Sequence, residues 1–246
     1  MNAYHFMRRT LRRPSVRPMQ FMRLLPLMLL SLCSVAHAVP KIGELTYVHG
    51  DVFVQPTGAA RHAAVQGAEL ANGDTIQTGS NGEAVLEFAD HQKTYLKNRT
   101  LYRIDDYHFS PDTAVGNHSM TSLLKGGLRA ISGLIGHQGD PNAYQLKTQS
   151  ATIGIRGTEW SVLDSDGTGD TSDSTTTRGS HNFSPVPQES IVVLRGAIDV
   201  NTGTYHDLIT AGSGTILRPK QSWMVILPAS ELPVVTPSAG AAPSCQ

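Results

Sequence analysis

From Lys41 onward, the sequence repeats short alternations of apolar and polar residues that are broken every few positions by glycine, asparagine or aspartate. A period of two is typical of β-strands, because successive side chains point to opposite faces of a sheet. The clearest segments are residues 47–54, 75–78, 84–88 and 94–104. Asn72-Gly73 and Asn81-Gly82 bracket the second of these, and we expect both dipeptides to form hairpin turns. The pattern predicts many short strands joined by tight turns.

The later part of the chain continues this pattern without a convincing helix. Residues 123–135 contain leucines at helical spacing, but their glycines would each cost about 1 kcal/mol in a helix, so we expect two short strands. Strands resume at residues 191–200 and 215–227. An apolar-x-Gly-x-apolar echo recurs at residues 48–52, 124–128 and 194–198. We therefore predict an all-β fold: a wrapped, antiparallel-rich sheet, built as a sandwich or a short solenoid.

Residues 1–38 have the features of a signal peptide that is removed on export. Six arginines precede an apolar run at residues 24–35, and Ala36-His37-Ala38 supplies a small-x-small cleavage pattern. The run is too short to span a bilayer comfortably, so we expect no transmembrane anchor and a periplasmic or secreted protein. Two alternatives stay open, a twin-arginine signal at Arg8-Arg9 and lipidation at Cys33.

Charge and cysteine content limit the classes of partner. Six of the twenty basic residues lie in the signal segment and none of the twenty acidic residues does, so the remaining chain carries a net charge of −6. This acidity disfavours nucleic acid as a partner. The remaining chain keeps one cysteine, Cys245, which excludes an internal disulfide. We expect a domain over residues 39–227, with a mobile polar loop at 164–187, followed by a disordered tail at 228–246.

No pattern of catalytic residues stands out, and we expect neither an enzyme nor a cofactor. The sequence lacks a Gly-x-Ser-x-Gly elbow, a phosphate-binding glycine loop and a His-Glu-x-x-His motif. Its histidines are scattered singly, which disfavours a metal site built on histidine pairs. Carboxylates that meet only in the fold, such as Asp74, Asp90 and Asp105, leave a hydrolase as an alternative.

One segment of the polar loop resembles a calcium-binding loop. Asp164, Asp166 and Asp170 place oxygen ligands at alternate positions, as Ca²⁺ requires. The twelfth position is Thr175 where a bidentate glutamate is needed, and no helix flanks the loop. We favour a solvated hairpin tip and keep calcium binding as the alternative.

The stretch from Thr148 to Trp160 predicts a bulged strand. Ile153 and Ile155 fall on one face, whereas Trp160 falls on the other because the step from 155 to 160 is odd. One extra residue would restore a single apolar face, so we predict a β-bulge near Gly157.

The arginine of this stretch points away from the isoleucines. We expect Arg156 to be an internal clamp for a carboxylate, with Glu159, Asp74 and Asp90 as candidate partners, and we keep anion binding as the alternative. The neighbouring Gly154 would allow another segment to approach the strand closely.

Four segments resemble motifs of the FecR domain family, and together they span residues 48–200. Residues 148–158 resemble its Thr-x-x-Ala-x-x-Gly-x-Arg-Gly-Thr signature, and residues 73–79 resemble its Gly-Asp-x-Ile-x-Thr-Gly turn. Residues 124–129 and 193–200 resemble its later strands. The chain departs from the pattern at Asp90-His91, where the family usually has Asp-Gly. We expect the matched residues to be structural: Gly73, Asp74, Thr78, Gly79, Ile153, Gly154, Ile155, Arg156, Gly157 and Thr158.

The resemblance implies a periplasmic sensing domain of the kind found in bacterial iron-responsive signalling systems. Founding members of the family carry a cytoplasmic anti-sigma segment and a transmembrane helix, which a signal peptide replaces here. We therefore expect an exported, non-enzymatic binding or signalling module that recognises a protein or an envelope polymer, by pairing a strand with an exposed sheet edge. The alternative is a calcium-stabilised surface scaffold or adhesin-associated protein.

Overall fold

Short β-strands account for nearly all regular structure in the computed structural model, which describes residues 41–140, 142–165, 176–177, 188–218 and 224–241. In chain order the strands are β1 (Gly43–His49), β2 (Val52–Gln55), β3 (His62–Ala63), β4 (Glu69–Leu70), β5 (Thr75–Thr78), β6 (Glu83–Phe88), β7 (Lys93–Leu96), β8 (Leu101–His108), β9 (His118–Lys125), β10 (Gly127–Ile131), β11 (Tyr144–Lys147), β12 (Thr152–Ser165), β13 (Thr176–Thr177), β14 (Gln188–Asn201), β15 (His206–Thr210), β16 (Ser213–Leu217), β17 (Ile226–Pro228) and β18 (Val234–Val235). Two single-turn 3-10 helices lie at Ile135–His137 and Ala229–Glu231.

The sheet is organised around two long strands, β12 and β14, which pair along their whole length. The other edge of β12 is shared, because its first half pairs with β11 and its second half with β10. Two arms extend from this division. The first arm runs β11-β9-β8-β5-β2-β3, and the second arm runs β10-β7-β6-β1-β4. Strand pairs in the described ranges are antiparallel except β9 with β11.

Both arms bury their inner faces in one core. Leu45 and Leu86 of the second arm, Ile76 and Ile104 of the first arm, and Trp160 of β12 are fully buried members of a single apolar cluster. Burying each such side chain contributes about 1.5–3 kcal/mol. The sheet therefore curls into a half-barrel around this core, which confirms the predicted all-β, wrapped and antiparallel-rich fold.

The two Asn-Gly turns connect the arms and do not close hairpins. Asn72-Gly73 leads from β4 in the second arm to β5 in the first, and Asn81-Gly82 leads from β5 back to β6 in the second. The prediction of hairpin turns is therefore wrong, although Gly73 has the expected positive φ, +86°. The chain alternates between the arms because each arm alone would leave its apolar face in water.

The glycine-rich segment after residue 123 forms strands, as predicted. It contributes the end of β9 and the whole of β10, and Gly126 turns the chain between them with a φ of +89°. Only Ile135 begins a single turn of 3-10 helix. Glycine thus favours a strand break over a helix here.

The expectation of a disordered tail is wrong for residues 228–241. This segment contains β18 and lies across the outer face of the sheet, where Leu232, Val235 and Ala241 are buried. The Val235 N–H donates to Ser161 Oγ at 3.1 Å, and Ser190 Oγ donates to the Pro233 carbonyl at 3.3 Å. Proline, alanine and serine dominate its composition, but a few apolar side chains are enough to anchor it.

Several other expectations lie outside the described residues. These are the signal at residues 1–38, most of the polar loop, and the last five residues. The described part of the loop shows that Asp164 and Ser165 extend β12 into it and that Thr176–Thr177 pairs with β18.

No helix in the described ranges has the length and hydrophobicity needed to cross a membrane.

Candidate functional site

The β-bulge predicted from the spacing of the signature stretch is present in β12. Two residues, Gly157 and Thr158, lie opposite the single residue Gly196 of β14. Ile155 and Trp160 are consequently both fully buried in the same core. The prediction is confirmed, and Ile153 and Gly154 are buried on the same strand.

Two glycines face each other across this bulge, and both have positive φ. Gly157 has a φ of +57°, and a Cβ at this position would lie 2.6 Å from Nδ1 of His137. Gly196 has a φ of +73°, and a Cβ there would lie 2.2 Å from the Gly157 carbonyl oxygen. Neither position leaves room for a side chain, which supports a structural role for the signature glycine.

Thr158 hydrogen-bonds the bulge to Ser132, the residue that follows β10, and to β14. Its N–H donates to Ser132 Oγ at 2.7 Å, and the Ser132 N–H donates back to the Thr158 carbonyl at 2.9 Å. Its hydroxyl donates to the carbonyl of Arg195 on β14. These groups are buried, so losing one partner would leave another unsatisfied at a cost of about 1–3 kcal/mol.

Arg156 is not an internal clamp, and none of its three predicted partners binds it. Its side chain is 41% exposed, and Nη2 lies 3.3 Å from Oδ2 of Asp199 on β14. The other oxygen of the Asp199 carboxylate contacts Nε2 of His206, the first residue of β15. Arg156, Asp199 and His206 thus form a row of contacting polar side chains across three strands on the outer face, and we call it the outer polar chain. Asp199 could not be identified from the sequence as the partner of Arg156, because the two residues are far apart along the chain.

Glu159, one of the predicted partners of Arg156, binds two other arginines. Its Oε1 accepts hydrogen bonds from Arg129 Nε at 3.0 Å and Nη2 at 2.5 Å. Its Oε2 lies 3.4 Å from Nε of Arg195. Both arginines come from segments that resemble the later strand motifs of the family, so this nearly buried carboxylate links three motif segments.

The Gly-Asp-x-Ile-x-Thr-Gly segment forms a hydrogen-bonded turn and strand. Asp74 Oδ2 accepts the Ala71 N–H at 2.9 Å, and burial raises the pKa of the Asp74 carboxyl. Thr78 Oγ1 donates to the Lys97 carbonyl at 2.6 Å and accepts the Thr100 N–H at 2.8 Å. The polar groups of Asp74 and Thr78 therefore make hydrogen bonds within the fold.

The glycines at the two ends of this segment are held through their backbone groups. The Gly73 N–H donates to the Ile104 carbonyl at 2.8 Å, and the Gly79 N–H donates to the Asp51 carbonyl at 2.7 Å. With Asp74 and Thr78, they fix β5 against β8 and the β1–β2 turn.

Asp90 is also used as a structural acceptor. Its carboxylate accepts hydrogen bonds from the Ile135 N–H at 3.2 Å, the Gln92 N–H at 3.2 Å and the Tyr107 hydroxyl at 3.0 Å. Burial raises the pKa of Asp90, although these three hydrogen bonds oppose that rise. The turn forms despite the departure from Asp-Gly, because His91 adopts a φ of +68°.

The dispersed carboxylates do not assemble a metal centre in the described part of the chain. No group of three histidine, cysteine, aspartate or glutamate side chains converges there. Of the predicted calcium ligands, Asp164 lies near the end of β12 and accepts a hydrogen bond from Gln149 Nε2 at 3.4 Å. Asp166 and Asp170 lie outside the described residues.

The strand β15 forms an edge of the sheet in the described ranges, since it pairs there with β14 alone. The Ala211 N–H donates to the Gly196 carbonyl, and the Thr202 N–H donates to the Tyr205 carbonyl. In an antiparallel pair, every second residue directs its N–H and C=O toward the partner strand. Residues 205 and 211 direct theirs toward β14, so the N–H and C=O groups of residues 206, 208 and 210 point away from it. Three consecutive outward positions therefore face solvent along this edge.

The side chains around this edge offer apolar contact area. Leu208 is 51% exposed and Tyr205, just before the strand, is also exposed. Asp207 partly protects the edge, because its Oδ1 accepts the outward Leu208 N–H at 2.8 Å. Sequence reasoning missed this strand, since its five residues are mostly polar, do not alternate, and follow a turn that resembles loop sequence. The adjacent apolar pair Leu208-Ile209 was the available signal.

An open groove of about 580 Å³ lies beside the loop that joins β8 to β9. Its polar lining is largely engaged within the protein. Asn117 makes three hydrogen bonds to its own loop, and Asn142 Oδ1 accepts one from Gln145. His118 Nε2 lies 2.9 Å from Asp106 Oδ2. The groove has few free groups for a ligand, and the β15 edge is the better candidate.

The fold and these contacts define an all-β module whose motif residues build the sheet and whose edge strand faces solvent. Residues 74–199, about half of the chain, match the family model described as FecR protein. The chain belongs to the FecR family. Because the proteins of this family are regulatory, the chain is a signalling-related module.

Two crystal structures of a candidate anti-sigma factor from Parabacteroides distasonis ATCC 8503, at 1.65 and 2.50 Å resolution, are similar to this chain. Each has a TM-score of 0.44 at 11% sequence identity and aligns over 64% of this chain and 60% of its own. The chain therefore matches less than two thirds of the length of these structures. No curated protein matches the sequence.

Proposed function

We propose that this chain is an exported, non-enzymatic FecR-family signalling module that recognises a protein partner in the cell envelope at the edge of β15. The observation that carries the proposal is the solvent-facing edge at residues 206, 208 and 210, with Leu208 exposed beside it. The signal-like segment at residues 1–38 and the net charge of −6 in the remaining chain support an extracytoplasmic role without nucleic acid.

The edge provides both affinity and selectivity for an added strand. An incoming strand would bond to the outward N–H and carbonyl groups, and Leu208 would contact alternate side chains of that strand. Asp207 would have to release the Leu208 N–H, which discourages indiscriminate pairing of the edge. The edge therefore combines free backbone groups that can bind a strand with a carboxylate that limits binding to a specific partner.

The family signature lies directly behind this edge. Arg156 binds Asp199, and Asp199 contacts His206 at the start of β15, so the outer polar chain connects the signature strand to the edge. The bulge at Gly157 lies opposite Gly196, which immediately precedes the part of β14 that pairs with β15. In this proposal the signature supports the binding surface and does not itself touch the partner.

Site-specific photo-crosslinking in intact cells tests the proposal. A photo-reactive amino acid at Leu208 should give a reproducible crosslinked protein band on irradiation. Two exposed apolar positions serve as matched controls: Val65, which is 66% exposed between β3 and β4, and Val115, which is 86% exposed at the open groove.

The pattern of crosslinks decides between the surfaces. A protein band at Leu208, absent at Val65 and Val115, is the expected result. A band only at Val115 would assign binding to the groove, and no protein band at any position, or a polysaccharide adduct at Leu208, would contradict a protein partner at this edge. Fractionation of the same cells should find the chain outside the cytoplasm, shortened by about 38 residues.

A further inference from the structure

The three outward positions of β15 are arranged symmetrically about its exposed apolar residue. Residues 206, 208 and 210 direct their backbone N–H and C=O groups away from β14, and Leu208 is the middle one of the three. Their side chains share the outer face of the sheet, because Asp199, the register partner of Leu208, belongs to the outer polar chain. A two-fold axis through Leu208 therefore exchanges the two outer positions and leaves the middle one in place.

A strand with this symmetry can pair with a second copy of itself. In an antiparallel pair centred on the axis, Leu208 faces Leu208 of the second copy, and His206 faces Thr210. Outward positions then meet only outward positions, so the three pairs give about six backbone hydrogen bonds, two for each pair. The sheet continues from one copy into the other in the order β14-β15-β15-β14.

The side chains of β15 also suit a second copy. Leu208, which is 51% exposed, would cover the same residue of the second copy across a Cα separation of about 5.5 Å. Asp207 would lie opposite Ile209, so like charges do not meet in a directly opposed pair. The net charge of −6 on each copy opposes association, but charges more than about 8 Å apart are largely screened at physiological salt.

The edge has little protection against such pairing. Lysine, arginine and proline, which commonly protect an exposed strand, are absent from residues 206–210. The Leu208 N–H is bonded to Oδ1 of Asp207 at 2.8 Å, so a rotation of this one exposed side chain frees the central donor. The hydrogen bond lost by this rotation is replaced by a bond to the Leu208 carbonyl of the second copy.

We propose that β15 pairs with β15 of a second copy of this chain and forms a two-fold symmetric dimer through a continuous sheet. This inference rests on the proposed function, since it names the protein that binds the β15 edge. Two-fold dimers are the commonest oligomers, and both copies use the same surface in their interface, as β15 does here.

Cysteine crosslinking of the chain, purified from cells that express it, tests the register of the pair. In a background with Cys33→Ser and Cys245→Ser, Leu208→Cys should form a disulfide-linked dimer on mild oxidation, because Cα atoms about 5.5 Å apart allow one. Val115→Cys, at a position that is 86% exposed, is the matched control and should stay monomeric.

A second pair of variants makes the register test sharper. A mixture of His206→Cys and Thr210→Cys chains should give a mixed disulfide dimer, because these residues face each other in the proposed pair. His206→Cys alone should not dimerise, since its two copies would lie at least about 13 Å apart along the strands.

Analytical ultracentrifugation measures the dimer without a crosslink. Thr210→Pro should raise the dissociation constant of the dimer at least about tenfold while leaving the circular dichroism spectrum unchanged, because proline removes an outward donor from each copy. A parent chain that stays monomeric at every concentration, equal disulfide yields at Leu208 and Val115, or a His206→Cys homodimer would overturn the proposal.

Photo-crosslinking at Leu208 in cells separates this inference from the proposed function. A band at twice the mass of the chain would support both. A band with a different protein, together with a monomeric purified chain, would overturn the dimer and leave the proposed function standing. The absence of any protein band would overturn both.

Discussion

Adjacent residues of the signature contribute to stability in different ways. Gly157 has a positive φ and a Cβ there would clash with the His137 ring, whereas Arg156 makes an exposed ion pair with Asp199. We expect Gly157→Val to lower the free energy of unfolding by at least about 3 kcal/mol, from backbone strain plus the clash. Arg156→Ala should lower it by less than about 1 kcal/mol. Urea unfolding of both variants measures this, and equal losses would contradict the assigned roles.

The buried acid Asp90 should make stability depend on pH in a specified direction. Burial raises its pKa above the ordinary 3.8, so the folded state holds the proton more tightly than the unfolded state. Its stabilising contribution is complete below pH 3.8 and is lost as the pH rises through the folded pKa. We expect the free energy of unfolding of the parent to fall more steeply from pH 4 to 7 than that of Asp90→Asn. Parallel curves for the two proteins would contradict this assignment.

At the scale of single elements, the local sequence was enough to predict the bulge in β12, but not the partner of Arg156 or the edge position of β15. The odd step from Ile155 to Trp160 predicted the bulge because side-chain alternation is a local rule. The partner of Arg156 is Asp199 of β14, which lies 43 residues later in the chain, and pairing across that distance leaves no local signal. The edge strand β15 was missed for a related reason: an edge position is a property of the sheet, and five mostly polar residues do not reveal it.

At the scale of the whole molecule, apolar periodicity predicted an all-β wrapped sheet but not its two arms. The Asn-Gly turns were expected to close hairpins, yet the chain uses them to alternate between arms that share a core. Composition was also misleading after residue 227, because a segment rich in proline and alanine carries Leu232 and Val235 into outer-face clusters. Burial of a few side chains outweighed a disorder-like composition.

The packed C-terminal segment gives a quantitative test at this scale. Leu232→Ala should lower the free energy of unfolding by about 2–4 kcal/mol, because Leu232 is buried against Val192 and Ile216. Val225→Ala, a change at an exposed apolar residue nearby, should alter it by less than about 0.5 kcal/mol. Chemical unfolding of the two variants measures the difference. A disordered tail would make both substitutions neutral.

The central claim is that the outward backbone of β15 binds a protein strand, and Thr210→Pro tests it most directly. Proline removes an N–H that points away from β14, so pairing within the sheet should survive while the edge loses a donor. The decisive measurement is the yield of the protein crosslink at Leu208 with and without Thr210→Pro, in chains shown to have the same melting temperature. We predict that the yield falls at least about tenfold, and an unchanged yield would contradict strand pairing at this edge.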